Sequence, residues 1–217
     1  MSYRLIIVGA GATGREALHY AQELRRDGAT FSIGGFLDDN ADALKGYDPD
    51  VHVIGNRDYR PQTDDAFVIA VGEAQLRAEL HEHLMKHGAR FVSVVHPSAF
   101  VATNARLGPG CLVAPFAFIG AHAVVDANVL VNVHAVVGHD ARIGAHCVLC
   151  PGASASGFTT LGSSVFMGTN AVVVPGKSVG RGSQIAAGSV VYNDMEADHM
   201  ALGNPARARK LASTKKG

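Results

Sequence analysis

The sequence predicts two units of different architecture: an α/β, Rossmann-like domain with a parallel sheet over residues 1–98, then a left-handed parallel β-helix with a C-terminal tail over residues 99–217. Three observations carry this. Apolar runs alternate with helical patterns through the first hundred residues, the turn after the first run reads Gly9-x-Gly11-x-x-Gly14, and the second half repeats with a period of six. A chain of 217 residues can bury the cores of two ordinary domains.

The elements follow in order. "RLIIVGAG" is an apolar run ending in glycines, and "GREALHYAQELRRDG" places Ala17, Leu18, Ala21 and Leu24 at helical spacing until Gly28 stops it. "FSIGGFLDD" reads as a second strand ending in Asp38 and Asp39, and "FVIAVG" as another. "EAQLRAELHEHLMKHG" reads as an amphipathic helix, and "FVSVVHP" as the strand that closes a small parallel sheet with helices around it. The glycine turn fits a dinucleotide fingerprint, because phosphate at a helix N-terminus needs backbone N–H groups at a distance that a Cβ would block. Asp38 and Asp39 lie beyond the usual distance of about 20 residues for a ribose-binding acid, which leaves the kind of nucleotide open. A tight turn with no ligand is the alternative.

From Val101 to Val190 the chain divides into fifteen consecutive hexads without an insertion. The first position is aliphatic, with only Ala155 small; the second is mostly tiny (for example Gly108, Gly120, Gly138, Gly144), and the fifth is small (for example Ala105, Ala117, Ala123, Ala135). A period of six is neither helical nor that of a plain strand. It fits three short strands per triangular coil, with the aliphatics inside and the small residues allowing tight corners. Residues eighteen apart then stack. His139 lies between Ala121 and Gly157, which leaves space beside it, and Asp140 stacks over His122. His134 falls between Phe116 and Gly152, and His146 between Asn128 and Ser164. The three histidines of "VNVHAVVGHDARIGAHCVL" therefore occupy three faces and cannot form one site within a chain.

Composition excludes several classes. Nineteen basic and nineteen acidic side chains give no net field to attract nucleic acid or an anionic membrane. The start lacks a secretory pattern, and no apolar run approaches about 18 residues, so a soluble cytoplasmic protein with no membrane partner is expected. Three cysteines are too few to staple a fold, and Cys147-x-x-Cys150 is followed by no helical pattern, which argues against a redox or zinc role.

From "IIVGAGATG" through "GFLDD", "VIAVG" and "VVGHDARIG" to "GNPARARK", the chain resembles the left-handed β-helix acyltransferases with an N-terminal nucleotide-sugar-binding domain. That family includes bacterial enzymes that N-acetylate nucleotide-linked amino sugars and the related sialic acid O-acetyltransferases. The resemblance implies an acetyl-CoA-dependent N-acetyltransferase acting on a UDP- or GDP-linked amino-dideoxy sugar in glycan synthesis, needing no metal. It implies a homotrimer with active sites between adjacent β-helices, His139 as base with Asp140 as its companion, and the nucleotide sugar on Gly11, Ala12, Thr13, Asp38, Asp39 and Gly72. It places acetyl-CoA near Val148, Gly157, Thr169 and Ala187. Some members carry a histidine where this chain has Val148, and that role does not pass to His146.

Imidazole suits the base role because its pKa near 6.5 keeps it neutral yet able to accept a proton at pH 7. Asp140 would fix the tautomer or stabilise the imidazolium. His134 and His146 read as surface or trimer-packing residues, and His122 as a partner of Asp140. The rival readings are a sialic acid O-acetyltransferase, a zinc carbonic anhydrase on the same β-helix using His134 and His139, a non-catalytic nucleotide-sugar binder, and a nicotinamide dehydrogenase. The last lacks a second α/β substrate domain. The tail reads as polar and strand-poor, with "GNPA" resembling the turn after the β-helix in this family and Arg207, Arg209 and Lys210 within reach of CoA phosphates.

Overall fold

A computed structural model describes residues 3–47 and 50–211, and the end of the basic tail, 212–217, lies outside the described residues. Strand β1 (Arg4–Val8), helix α1 (Ala12–Arg26), β2 (Ser32–Leu37), β3 (Val53–Gly55), β4 (Asp65–Ile69) and α2 (Ala74–Lys86) build the first unit. Its parallel sheet runs β3-β2-β1-β4, so the chain reverses its winding direction beside β1. The crevice at such a reversal, outside the carboxyl ends of the strands, is where open α/β sheets bind ligands. Buried Ala17, Leu18 and Ala21 hold α1 on the sheet.

Two expectations about this unit are corrected. Strand β3 went unread, being short and only partly apolar. The strand read in "FVSVVHP" leaves the sheet: only Phe91 bridges to Phe67, whereas β5 (Val94–Val95) pairs with Leu112–Val113 in the second unit. An apolar run identifies a strand, but not the sheet that takes it.

The second unit holds seventeen two-residue strands, β5 to β21 (Val190–Val191), and as far as Val172–Val173 each pairs in parallel with the strand eighteen residues on, as in Val124↔Arg142 and Val136↔Ser154. First-position side chains from Val113 through Ile185 and the fifth-position alanines fill the interior. The corners are not made by the small residues. They fall at the fourth position, where Phe116, His122, Asn128, His134, Asp140 and His146 all have φ between 56° and 65°. That left-handed conformation costs about 1–2 kcal/mol per residue. Bonds between coils offset it, for example Asp140 N–H to Ala121 O at 2.9 Å and Phe158 N–H to His139 O at 2.9 Å. The second-position glycines answer a different need. A Cβ on Gly138 would stand 2.4 Å from the backbone nitrogen of Gly157, so stacked coils leave no space for one.

The interior also explains the cysteines. Cys111 and Cys147 occupy fifth positions, and their thiols donate to Asp126 O (3.1 Å) and Gly162 O (3.0 Å). Burial pushes their pKa values up to about 11 and about 12. Cys147 is thus a filler inside the coil, while Cys150 packs outside it against the first unit.

Outward side chains give the three walls different surfaces. Val94, Leu112, Leu130 and Val148 are buried in one cluster with α1 and the parallel sheet. A second wall presents Phe100, Phe118, Val136, Ser154, Val172 and Val190; the first two are 55% and 41% exposed and stack at 5.0 Å. The third is mostly polar, with Arg106, Arg142, Thr160 and Ser178. The tail is not strand-poor: β22 (His199–Gly203) extends the covered wall through Met200↔Gln184, and β23 (Ala206–Lys210) folds back on it antiparallel around the "GNPA" turn. Met195 and Ala201 close the top of the interior.

Candidate active site

The glycine turn joins β1 to α1 at the sheet reversal. Gly9 has φ +98°, and a Cβ on Gly14 would lie 1.9 Å from Gly9 O, so helix and turn meet without side chains. No side chain caps the N-terminus of α1, which leaves amide donors of Ala12 and Thr13 and the positive end of the helix dipole for an anion. Asp38 Oδ2 accepts from Ala10 N–H at 2.8 Å, so this carboxylate shapes the turn from beneath. Asp39 pairs with Arg57, whose Nε donates to Oδ2 at 2.8 Å, and this bond holds the Asp39 carboxyl below its usual range. Both aspartates and Arg57 line a cavity of about 160 Å³ with Gly9 and Leu76. Gly72 faces the turn, since a Cβ there would come 4.0 Å from Thr13 Oγ1. Gly11, Ala12, Thr13, Asp38, Asp39 and Gly72 therefore meet at one end of the sheet. Sequence reading missed Arg57, because nothing in an eighteen-residue separation signals an ion pair.

On the β-helix, His139 Nδ1 and Asp140 Oδ2 are 2.9 Å apart, with side chains 60% and 39% exposed. If Nδ1–H donates to the carboxylate, Nε2 carries the free lone pair. The ring lies over Gly157, where a Cβ would stand 2.6 Å from Nε2, and Phe158 meets it edge-on at 5.0 Å. Asp140 sits at a left-handed corner, a conformation aspartate tolerates better than most residues.

Other expected residues separate. Thr169 and Ala187 are exposed and stack on the next corner, where Gly188 N–H bonds Thr169 O at 2.8 Å. They lie on the far side of the Phe100–Phe118 wall from Gly157. Val148 lies in the covered wall, 1% exposed and packed with the first unit. His122 engages Asn104, whose Oδ1 accepts its N–H at 3.2 Å. His134 stacks on Phe116 at 5.3 Å, on a different corner of the chain from His139. Among the described residues no three His, Cys, Asp or Glu side chains converge as a metal cluster, and no helix is long and apolar enough to cross a membrane.

His146 is not a surface residue. It is half-buried between Asn128, whose Nδ2 donates to its Nδ1 at 2.9 Å, and the ring of His81 at 5.1 Å. Desolvation first, then His81 and Arg77, push its pKa down to about 4, with Glu82 opposing. Burial and Arg77 lower His81 as well, again against Glu82. Below about pH 6.5 the unfolded imidazole binds a proton that the folded one refuses, so stability is lost as pH falls from 6.5 toward 4. Solvent screening at a half-buried group reduces the His146 share to about 1 kcal/mol. Thermal melts across that range should slope less for His146→Asn, which keeps a corner-tolerant residue; equal slopes would refute the assignment.

A glycine-turn α/β unit fused to a hexapeptide β-helix that bears an open His–Asp pair defines the class of nucleotide-sugar acyltransferases. The chain belongs to the family of left-handed β-helix nucleotide-sugar acetyltransferases. The family model for the PglD N-terminal domain matches residues 4–84. The GDP-perosamine N-acetyltransferase of Escherichia coli O157:H7 is 27% identical over 96% of this chain and 97% of its own. The perosamine N-acetyltransferase of Caulobacter crescentus, solved with CoA and GDP-perosamine, is 30% identical over 94% of this chain and 96% of its own, with a TM-score of 0.83. The acetyltransferase domain of PglB from Neisseria gonorrhoeae, solved also with acetyl coenzyme A, is 28% identical over 96% of this chain and all of its own, with a TM-score of 0.85.

Proposed function

We propose that this chain moves the acetyl group of acetyl-CoA to the amine of a GDP-linked amino-dideoxy sugar for bacterial glycan synthesis in the cytoplasm, with His139 as general base. The observation that carries this is the open His139–Asp140 pair above Gly157, on a chain that also holds an uncapped glycine turn. The GDP-perosamine relatives favour a GDP-linked acceptor. The amine attacks the thioester carbon, Nε2 takes the amine proton, and Asp140 steadies the resulting imidazolium. Collapse forms the amide and releases CoA as a thiolate, to which His139 returns the proton.

In this reading the phosphates lie on Gly11, Ala12 and Thr13, opposite Gly72, with Asp38 and Asp39 toward the base and ribose. Acetyl-CoA runs past Gly157, Thr169 and Ala187, and the exposed Arg207, Arg209 and Lys210 face its phosphates. Gly157 and the Thr169–Ala187 column flank the apolar wall of Phe100 and Phe118, which supports a three-fold assembly in which one copy's Thr169 corner stands beside its neighbour's His139. Light scattering should read a mass of three chains, and a monomer would refute the assembly.

The reaction is tested by thiol release from acetyl-CoA with GDP-perosamine, UDP-linked 4-amino sugars and free sialic acid. Release with a nucleotide-linked amine is expected. Release with sialic acid alone would overturn the reading.

A further inference from the structure

The glycine turn and His139 stand on different units, and the apolar contact that joins those units has no direction of its own. A directional contact crosses the same junction. Arg77 lies fully buried on α2, at a position of the stripe formed with Ala74, Leu80 and Leu84. Its Nη1 donates to Ile69 O (2.7 Å) and Val71 O (3.0 Å) at the end of β4. Its Nε donates to Asn128 O (3.1 Å), and Nη2 to Asn128 O (3.0 Å) and Oδ1 (2.8 Å). All five guanidinium donors are thus engaged. Asn128, at a left-handed β-helix corner, returns a bond from Nδ2 to Arg77 O at 3.1 Å.

Every acceptor is an uncharged oxygen, so the desolvation of the cation is not recovered from an ion pair. Burial pushes its pKa down to about 10, which still leaves it protonated at neutral pH. Stability alone does not account for an arginine here. What the side chain does provide is a fixed fork: one prong holds the carbonyls that lead into Gly72, opposite Thr13 of the glycine turn, and the other holds the β-helix.

We propose that Arg77 is a positioning residue for acetyl transfer, locking the Gly72 loop to the Asn128 corner so that a sugar held on one unit reaches His139 on the other. This rests on the reaction proposed above. A misplacement of about 1 Å costs about 10²-fold in rate. Lysine keeps the charge but radiates three donors from one nitrogen, which cannot span both sets of carbonyls.

The test uses the full-length protein carrying Arg77→Lys, and separately Asn128→Gly, which retains the left-handed corner and the backbone acceptor and removes the side chain that bonds Arg77 and His146. Three quantities are read: kcat with acetyl-CoA and GDP-perosamine, GDP affinity by calorimetry, and the distance distribution between spin labels at Lys86→Cys and Arg142→Cys on a Cys150→Ser background. For Arg77→Lys, a kcat loss of about 10–100-fold, GDP affinity within about twofold and a broadened distance distribution are expected. Asn128→Gly should act in the same direction, with less than additive effect in the double variant. A distribution as narrow as that of the parent chain, or GDP affinity falling in step with kcat, overturns the proposal. A parent enzyme inactive on every nucleotide-linked amine refutes the reaction instead, and the label distances still decide whether Arg77 locks the two units.

Discussion

Replacing His139 with alanine is expected to lower turnover by about 10²–10⁴ and leave the fold intact. The two halves of this expectation have separate grounds. The imidazole is 60% exposed and lies outside the coil, and the column beneath it carries Ala121, so alanine is already accommodated at that place in the coil. No interior contact is lost, and the melting temperature should move by no more than about 2 °C, the scale of a surface change. The chemistry, by contrast, loses the group that removes the amine proton. Steady-state thiol release and a thermal melt on the same preparation check both halves, and turnover near that of the parent chain would remove His139 from the mechanism.

Gly14→Ala should act at the other unit, through sterics. Two effects compete there. Alanine favours helix over glycine by about 1 kcal/mol, which would stabilise an ordinary position in α1. Here its Cβ would stand 1.9 Å from Gly9 O and 2.9 Å from Gly9 C, and neither is a side chain that can swing away. The turn must therefore open, at a cost of about 3 kcal/mol or more, so the clash wins. The opened turn splays the amides that would face phosphate. GDP affinity should fall at least about tenfold, with a loss of roughly 5–10 °C in melting temperature; calorimetry showing unchanged affinity would contradict the phosphate assignment.

Much of this was legible in the sequence, and the illegible parts have physical reasons. The hexad phase located the interior residues and set His139 over Gly157, because an eighteen-residue coil turns spacing directly into position. The corners were misread because composition at the fourth position carries no common signal: Phe116, Asn128 and His134 share a left-handed backbone only because hydrogen bonds between coils hold it. The burial of Val148 was readable from its column, where Val94, Leu112 and Leu130 already marked a covered wall. Arg77 carried a readable signal, a charge on the apolar stripe of an amphipathic helix, but its acceptors come from β4 and from a corner some fifty residues on. The Asp39–Arg57 pair left no trace in the spacing. The tail's strands escaped notice since β23, "ARARK", has almost no apolar content and pairs only because β22 precedes it.

The stacking of the coils has one more consequence, for which substrates such a scaffold can serve. A residue moved by eighteen positions keeps its face and its orientation and changes only its height along the axis, by the strand spacing of about 4.8 Å. The proton-accepting group can thus be raised or lowered in fixed steps relative to the glycine turn without redesigning the wall around it. Reach along the acceptor is graduated like a ruler, one coil per mark. A base set at Ala121 would read one mark lower than His139, and a sugar whose amine projects one step less would find it there.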